Sequence, residues 1–196
     1  MSKKEIKSII ESVQIITVVQ YNDYLKKSSK EIHDVFSYNL RPADNVYPEV
    51  NLREFCNSFI ADDLEWCDEC DIEEYKQKYE HDRVMALKTI DYKVKNVVVH
   101  INYPVTNPAC FKFNCENISV TYGMVLYLYT YAYQLMYKLE DEECGPTPNI
   151  PGMINRGKSD GQFGIWGYDI GDLVYNGSSL IHVCDDTVVC YFSCDS

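Results

Sequence analysis

The sequence predicts an α+β fold in one domain: N-terminal helices, a small antiparallel sheet, one long central helix and a C-terminal β-hairpin under a glycine-rich loop. Three observations predict it. Apolar residues near the N-terminus repeat with helical spacing. From Val84 onward, apolar and polar residues alternate with the period of two that is typical of strands. An uncharged run from Ile118 to Tyr137 then returns to helical spacing. The 196 residues contain no internal repeat and no long linker, and this length is typical of a single domain.

Residues 1–40 are predicted to be helical. Ser2 and Glu5 form a capping box before a first apolar stripe, although the β-branched run Ile15–Val19 is also compatible with a strand. A second helix is predicted over 30–39, ending before Pro42. The inward faces of the two helices are predicted to carry Ile6, Ile9, Ile10, Val13 and Thr17, and then Ile32, Val35, Phe36 and Leu40.

Further capping boxes predict two helices in the middle of the chain. Asn51 with Glu54 precedes the apolar stripe that ends at Leu64, and Asp71 with Glu74 precedes a second one. Strands are then predicted over 84–91, over 97–103 and around Phe111 and Phe113, because apolar side chains alternate there.

A central helix is predicted over 121–143, and a C-terminal hairpin follows it. In the helix, Val125, Leu128 and Ala132 keep a 3-4 spacing and Gly145 is a stop signal, which leaves Tyr127 and Tyr131 outside the apolar stripe. The hairpin joins 180–184 to 188–194, and the segment 145–167 forms the glycine-rich loop.

The charge and the cysteines limit the function classes. A net charge of −12 opposes binding to nucleic acid and to anionic membranes. No export signal is visible, so the chain is expected to be soluble and intracellular, with its nine cysteines mostly free thiols.

One motif matches the phosphate-binding loop pattern G-x-x-x-x-G-K-[ST]. It comprises Gly152, Gly157, Lys158 and Ser159. Such a loop needs a buried strand before it and a helix after it, because the helix N-terminus supplies part of the field on the phosphate. Here prolines precede the motif and glycines follow it, so we expect an irregular coil and keep nucleotide binding as an alternative.

Two further candidates carry chemistry. Cys67 and Cys70, with Cys110 and Cys115, could supply four thiolates to zinc, although scattered structural thiols are the simpler interpretation. Asp169 and Asp172 stand three residues apart after Trp166, where they could bind a ligand or simply cap a turn. No nucleophile motif such as G-x-S-x-G occurs.

The segments Val120–Leu126, Asn155–Gly161, Gly164–Gly167, Ile170–Gly177 and Cys194–Ser196 carry a resemblance. Over about residues 118–196 the chain resembles a family of small uncharacterised proteins of amoeba-infecting giant DNA viruses, the mimivirus and marseillevirus relatives, whereas 1–117 resembles no family. The resemblance implies a viral origin and a host-cytoplasmic location. It implies no activity and no catalytic residues, and it places Gly157, Lys158 and Ser159 in a family loop.

These observations predict a non-enzymatic protein-interaction module without a cofactor. Tyrosine and tryptophan are favoured at interfaces, so the candidate contact surface comprises Tyr127, Tyr131, Trp166, Asp169 and Asp172. The expected partner is a viral or host protein, or a second copy of the chain.

Overall fold

The computed structural model describes residues 3–33, 35, 39–40, 72–91, 93–116, 118–153 and 155–195. The helix predicted after Asn51 lies outside these residues, and so do Cys67 and Cys70. The described elements are α1 (Lys3–Glu11), β1 (Gln14–Ile16), α2 (Val18–Leu25), β2 (Lys30–His33), β3 (Asn39–Leu40), α3 (Ile72–Leu87), β4 (Thr89–Asp91), β5 (Asn96–Ile101), β6 (Ala109–Asn114), β7 (Val120–Thr121), α4 (Tyr122–Cys144), a 3₁₀ turn (Ile170–Asp172), β8 (Val174–Cys184) and β9 (Thr187–Asp195).

The predicted α+β class is confirmed, but the sheet is mixed rather than antiparallel. Seven strands form it in the order β1-β6-β5-β9-β8-β2, with β3 also paired to β8. All pairs are antiparallel except β5 with β9, because the C-terminal hairpin inserts its second strand beside β5. The predicted hairpin is therefore part of the main sheet. A separate pair, β4 with β7, adjoins the start of α4.

Helices cover both faces of the sheet. On one face α1 and α4 pack on a single apolar cluster, in which Val97, Val99 and Phe111 are fully buried. On the other face α2 places Tyr21 over a smaller cluster that includes Val98 and Cys110. Val97 and Val98 are adjacent in β5 but belong to opposite clusters, because successive side chains of a strand point to opposite faces of the sheet.

The central helix is confirmed, and a row of tyrosines fixes it to its surroundings. The hydroxyl of Tyr129 donates to the carbonyl of Phe192 in β9 at 2.6 Å, and that of Tyr133 to the carbonyl of Tyr103 at 2.7 Å. One turn further, the hydroxyl of Tyr137 donates to a carbonyl beyond the glycine-rich loop. Burial raises the pKa of Tyr129 and Tyr133 well above its ordinary value, so both remain neutral donors.

One predicted element is wrong and another is wrong in part. The helix expected over 30–39 is replaced by β2 and β3, because this segment pairs with β8, a strand about 150 residues later in the chain. The strand expected over 84–91 is wrong in its first half, which is the end of α3: Asp82 and Ala86 are buried one helical turn apart there, while Val84 is exposed. Its second half is confirmed as β4, Thr89–Asp91. The β-branched run Ile15–Val19 is compatible with both a strand and a helix because it contains parts of both. Its first residues belong to β1, and after the N-cap Thr17 its last residues begin α2.

Candidate functional site

The carboxylate of Glu140 lies at the centre of the glycine-rich loop. Glu140 is fully buried near the end of α4, and the loop folds around its side chain. Backbone N–H groups of Phe163 and Gly164 donate to its two oxygens at 2.8 and 2.9 Å, and the Ser159 hydroxyl donates to Oε1. The loop therefore forms an anion cradle, and the anion it holds is a side chain of the same protein.

These hydrogen bonds keep the buried carboxylate ionised. Burial alone would raise the pKa of Glu140, because a low-dielectric surrounding disfavours the charged form. The donors from Ser159, Phe163, Gly164 and Ile165 act in the opposite direction, and the net result is a pKa below the ordinary 4.5. The network is thus stabilising in its charged state.

The residues of the phosphate-loop motif are placed by the same cradle. Residues 155–169 contain no helix, and Ser159 is buried with its N–H donating to the carbonyl of Ile165 at 2.8 Å. The N–H of Gly157 donates to the carbonyl of Pro148, while Gly152 and Lys158 are exposed. The irregular coil expected here is confirmed. The Ser159 hydroxyl and the N–H groups of Gly157 and Ser159 are bonded within the protein, so nothing in this geometry favours nucleotide binding.

Gly161 is the position at which the cradle leaves no room for a side chain. A Cβ built there would lie 2.6 Å from Cδ and Oε2 of Glu140. We expect Gly161→Ala to lower the free energy of unfolding by about 1–3 kcal/mol, because the locked carboxylate cannot move aside. Gly171→Ala is the matched control, since a Cβ there meets nothing within 4 Å. Chemical denaturation measures both; equal stability of the two variants would contradict a tightly closed cradle.

Arg156 forms a second buried charge centre beside the cradle. Its guanidinium lies 2.9 Å from Asp141 on α4 and 3.6 Å from Asp169 beyond the loop, and it stacks over the ring of Tyr137 at 5.5 Å. Its backbone pairs with Gly167 on one side and Asn149 on the other. Arg156 therefore joins the two ends of the loop to α4.

Trp166 is held in place but remains exposed. Its backbone N–H donates to the carbonyl of Pro104 at 3.0 Å, and its indole ring packs edge-on against the ring of Tyr103 with centroids 5.7 Å apart. Even so, 41% of the residue is exposed. Asp169 and Asp172 follow as an exposed capping box, in which the Asp169 N–H donates to the Asp172 carboxylate at 3.0 Å. All three candidate residues are thus exposed within seven residues of chain, and the two aspartates cap a turn.

The two tyrosines proposed for the same surface lie elsewhere. Tyr127 is only 1% exposed and belongs to the main core, so its prediction as a surface residue is wrong. Tyr131 is half-buried against Phe113, with ring centroids 6.2 Å apart. The sheet and α3 pack against α4, and together they bury more of its surface than the predicted apolar stripe. This is because α4 is the central element of the core.

Cys110 and Cys115 are not brought to one metal site. Both are buried, but Cys110 belongs to the cluster under α2 and Cys115 to the opposite cluster under α4. Burial raises the pKa of each thiol to about 12, so each is a neutral thiol within its apolar cluster. In the described part of the chain, no three His, Cys, Asp or Glu side chains are grouped as metal ligands.

A serine, a histidine and a glutamate also meet near the end of β8, but without the geometry of a catalytic triad. Ser28 Oγ lies 3.2 Å from Nδ1 of His182, and Oε1 of Glu31 lies 3.4 Å from the same nitrogen. A triad requires the nucleophile on one ring nitrogen and the carboxylate on the other. This geometry is not that of a triad; Glu31 in β2 and His182 in β8 form a contact between the two paired strands.

Comparison with known proteins finds no matching family model, no similar curated protein and no similar solved structure. Across the described ranges, no helix is long and apolar enough to cross a membrane.

Proposed function

We propose that this chain is a non-enzymatic interaction module of a giant DNA virus of amoebae, and that it binds a viral or host protein in the host cytoplasm. Its contact surface is the platform formed by Trp166, Asp169 and Asp172. The exposed indole of Trp166 on a fixed support is the observation that carries the proposal.

The support matters because binding must overcome the entropy of ordering the side chains at the interface. Trp166 is already restrained through its backbone by Pro104 and through its ring by Tyr103. Arg156, paired with Asp169 and hydrogen-bonded to Gly167, restrains the residues on the far side. A restrained, exposed tryptophan has the properties of a binding hot spot, since such residues contribute large contact area at low entropic cost.

Trp166→Ala tests the proposal in the full-length chain. Tagged wild-type protein is used to capture partners from extracts of amoebae infected with such a virus, and captured proteins are quantified by mass spectrometry. We expect at least one partner to be captured about tenfold less by Trp166→Ala, the effect of losing about 1.4 kcal/mol of binding free energy.

Val84→Ala is the matched control, because Val84 is also an exposed apolar residue but lies on α3. It should capture the same partner as the wild type. Capture that is insensitive to Trp166→Ala, or no partner enriched over a tag-only control, would refute the proposal.

A further inference from the structure

The outer edge of β1 exposes backbone groups. β1 is the first strand of the sheet and pairs only with β6 among the described residues. The N–H of Asn114 in β6 reaches toward β1 and donates to Ser12 Oγ at 2.9 Å. Since backbone groups alternate sides along a strand, Lys112 and Cys110 also face β1, and their partners Gln14 and Ile16 face back. The N–H and C=O of Ile15 therefore point away from the sheet.

The segment that forms this edge is uncharged and exposes apolar side chains. Ile15 is 52% exposed, and Val19 in the first turn of α2 is 69% exposed beside the half-exposed Val18. No residue from 12 to 22 carries a charge, in a chain in which 24% of the residues are charged. An unprotected apolar strand edge of this kind is a template for pairing with another strand.

The opposite edge of the sheet differs in the way expected of a protected edge. β2 carries exposed Lys30, Glu31 and His33. Charged side chains on an edge strand oppose edge-to-edge pairing, because they would have to lose water against a neighbouring backbone. Among the strands of the described residues, this contrast singles out β1 as the edge open to association.

We infer that β1 pairs antiparallel with β1 of a second copy of this chain, about a two-fold axis at Ile15. Ile15 of each copy then donates its N–H to the C=O of the other, which is the reciprocal pair of an antiparallel ladder. Val18 and Val19 of both copies lie beside this pair and lose exposed apolar area. A self-complementary patch on a two-fold axis closes on itself and gives a dimer rather than a fibre.

Self-complementarity and the lack of charge favour a second copy as the occupant, because both copies present the same uncharged edge to each other across a two-fold axis. Two chains of net charge −12 repel each other over most of their surfaces, so they approach most easily where neither carries charge. The edge of β1 satisfies this condition for both copies at once. Added salt screens the repulsion and leaves apolar contacts intact, so the dimer should tighten as ionic strength rises.

Sedimentation equilibrium of the full-length chain at several micromolar concentrations, in low and in high salt, tests the inference. We expect the wild type to approach twice the chain mass of 22.7 kDa, and more completely in high salt. Ile15→Lys and Ile15→Glu should each raise the dimer dissociation constant at least about tenfold, because each places like charges opposite each other at the axis. Mixing the two variants should restore the dimer.

Val84→Lys, which adds the same charge at an exposed residue of α3, is the control and should dimerise as the wild type does. Circular dichroism verifies that every variant is folded; if Ile15→Lys is unfolded, Ile15→Glu alone decides. A monomeric wild type, a dimer that survives both Ile15 substitutions, or a mixture that fails to reassociate would overturn the inference.

Discussion

Glu140→Gln is expected to lower the free energy of unfolding by about 2–4 kcal/mol, the range for removing the charge from a buried network of charge-assisted hydrogen bonds. The substitution keeps the shape of the side chain. However, an amide has one oxygen and one NH₂ group, whereas the cradle presents donors to both carboxylate oxygens. One N–H of the loop must then face another donor. For a chain of this length the melting temperature should fall by roughly 4–16 °C.

Glu142→Gln is the control on the same helix. Glu142 is exposed and forms only a surface pair with Lys138 at 3.7 Å, so the change should be within about 0.5 kcal/mol. Urea denaturation measures all three proteins at neutral pH. If Glu140→Gln is as stable as Glu142→Gln, the cradle does not hold a charged carboxylate.

The pH dependence of this difference has a defined sign. Because the folded pKa of Glu140 is lowered, its charge contributes stability that is present above the ordinary value of 4.5 and is lost as the pH falls through the folded pKa. Wild type and Glu140→Gln should therefore differ most near neutral pH and converge in acid. A difference that is constant with pH would mean that Glu140 acts through its shape alone.

The elements that the sequence predicts correctly are those that local pattern determines. The central helix is set by the spacing of Val125, Leu128 and Ala132 and by the stop at Gly145, all within one stretch of chain. Local pattern does not predict β2, because its partner strand β8 lies about 150 residues later in the chain. The stabilisation from pairing with β8 outweighs the helical preference of the segment itself.

Glu140 shows the same limit at the site. It begins an acidic run, Glu140–Glu143, whose pattern is typical of a solvated helix end. One signal was available, since Glu140 continues the row of Tyr129, Tyr133 and Tyr137 toward the protein interior. That row does not predict which groups bind the carboxylate, however. The hydrogen-bond donors belong to the glycine-rich loop, and that loop has no periodic pattern from which its path could be predicted. Trp166, Asp169 and Asp172 stay a prediction that rests on residue type, and the structure adds that all three are exposed.

Arg156→Ala is expected to destabilise the chain by about 2–4 kcal/mol and to weaken binding at the Trp166 platform. The ion pairs contribute the smaller part, because Asp141 and Asp169 are 40% and 58% exposed and can be solvated by water. The larger part is packing: the side chain of Arg156 is only 4% exposed, and its removal leaves a void over Tyr137. Thermal denaturation measures the loss of stability.

Two comparisons separate these contributions. Arg156→Lys keeps a charge and most of the apolar stem but cannot bridge two carboxylates as a planar guanidinium does, so its stability should lie between those of the wild type and Arg156→Ala. Lys158→Ala removes a cation from the same loop at an exposed position and should leave stability unchanged. If Arg156→Ala loses stability but captures the Trp166-dependent partner normally, then Tyr103 and Pro104 alone position the indole. If both properties fall together, Arg156 couples the folding of the loop to its proposed binding surface.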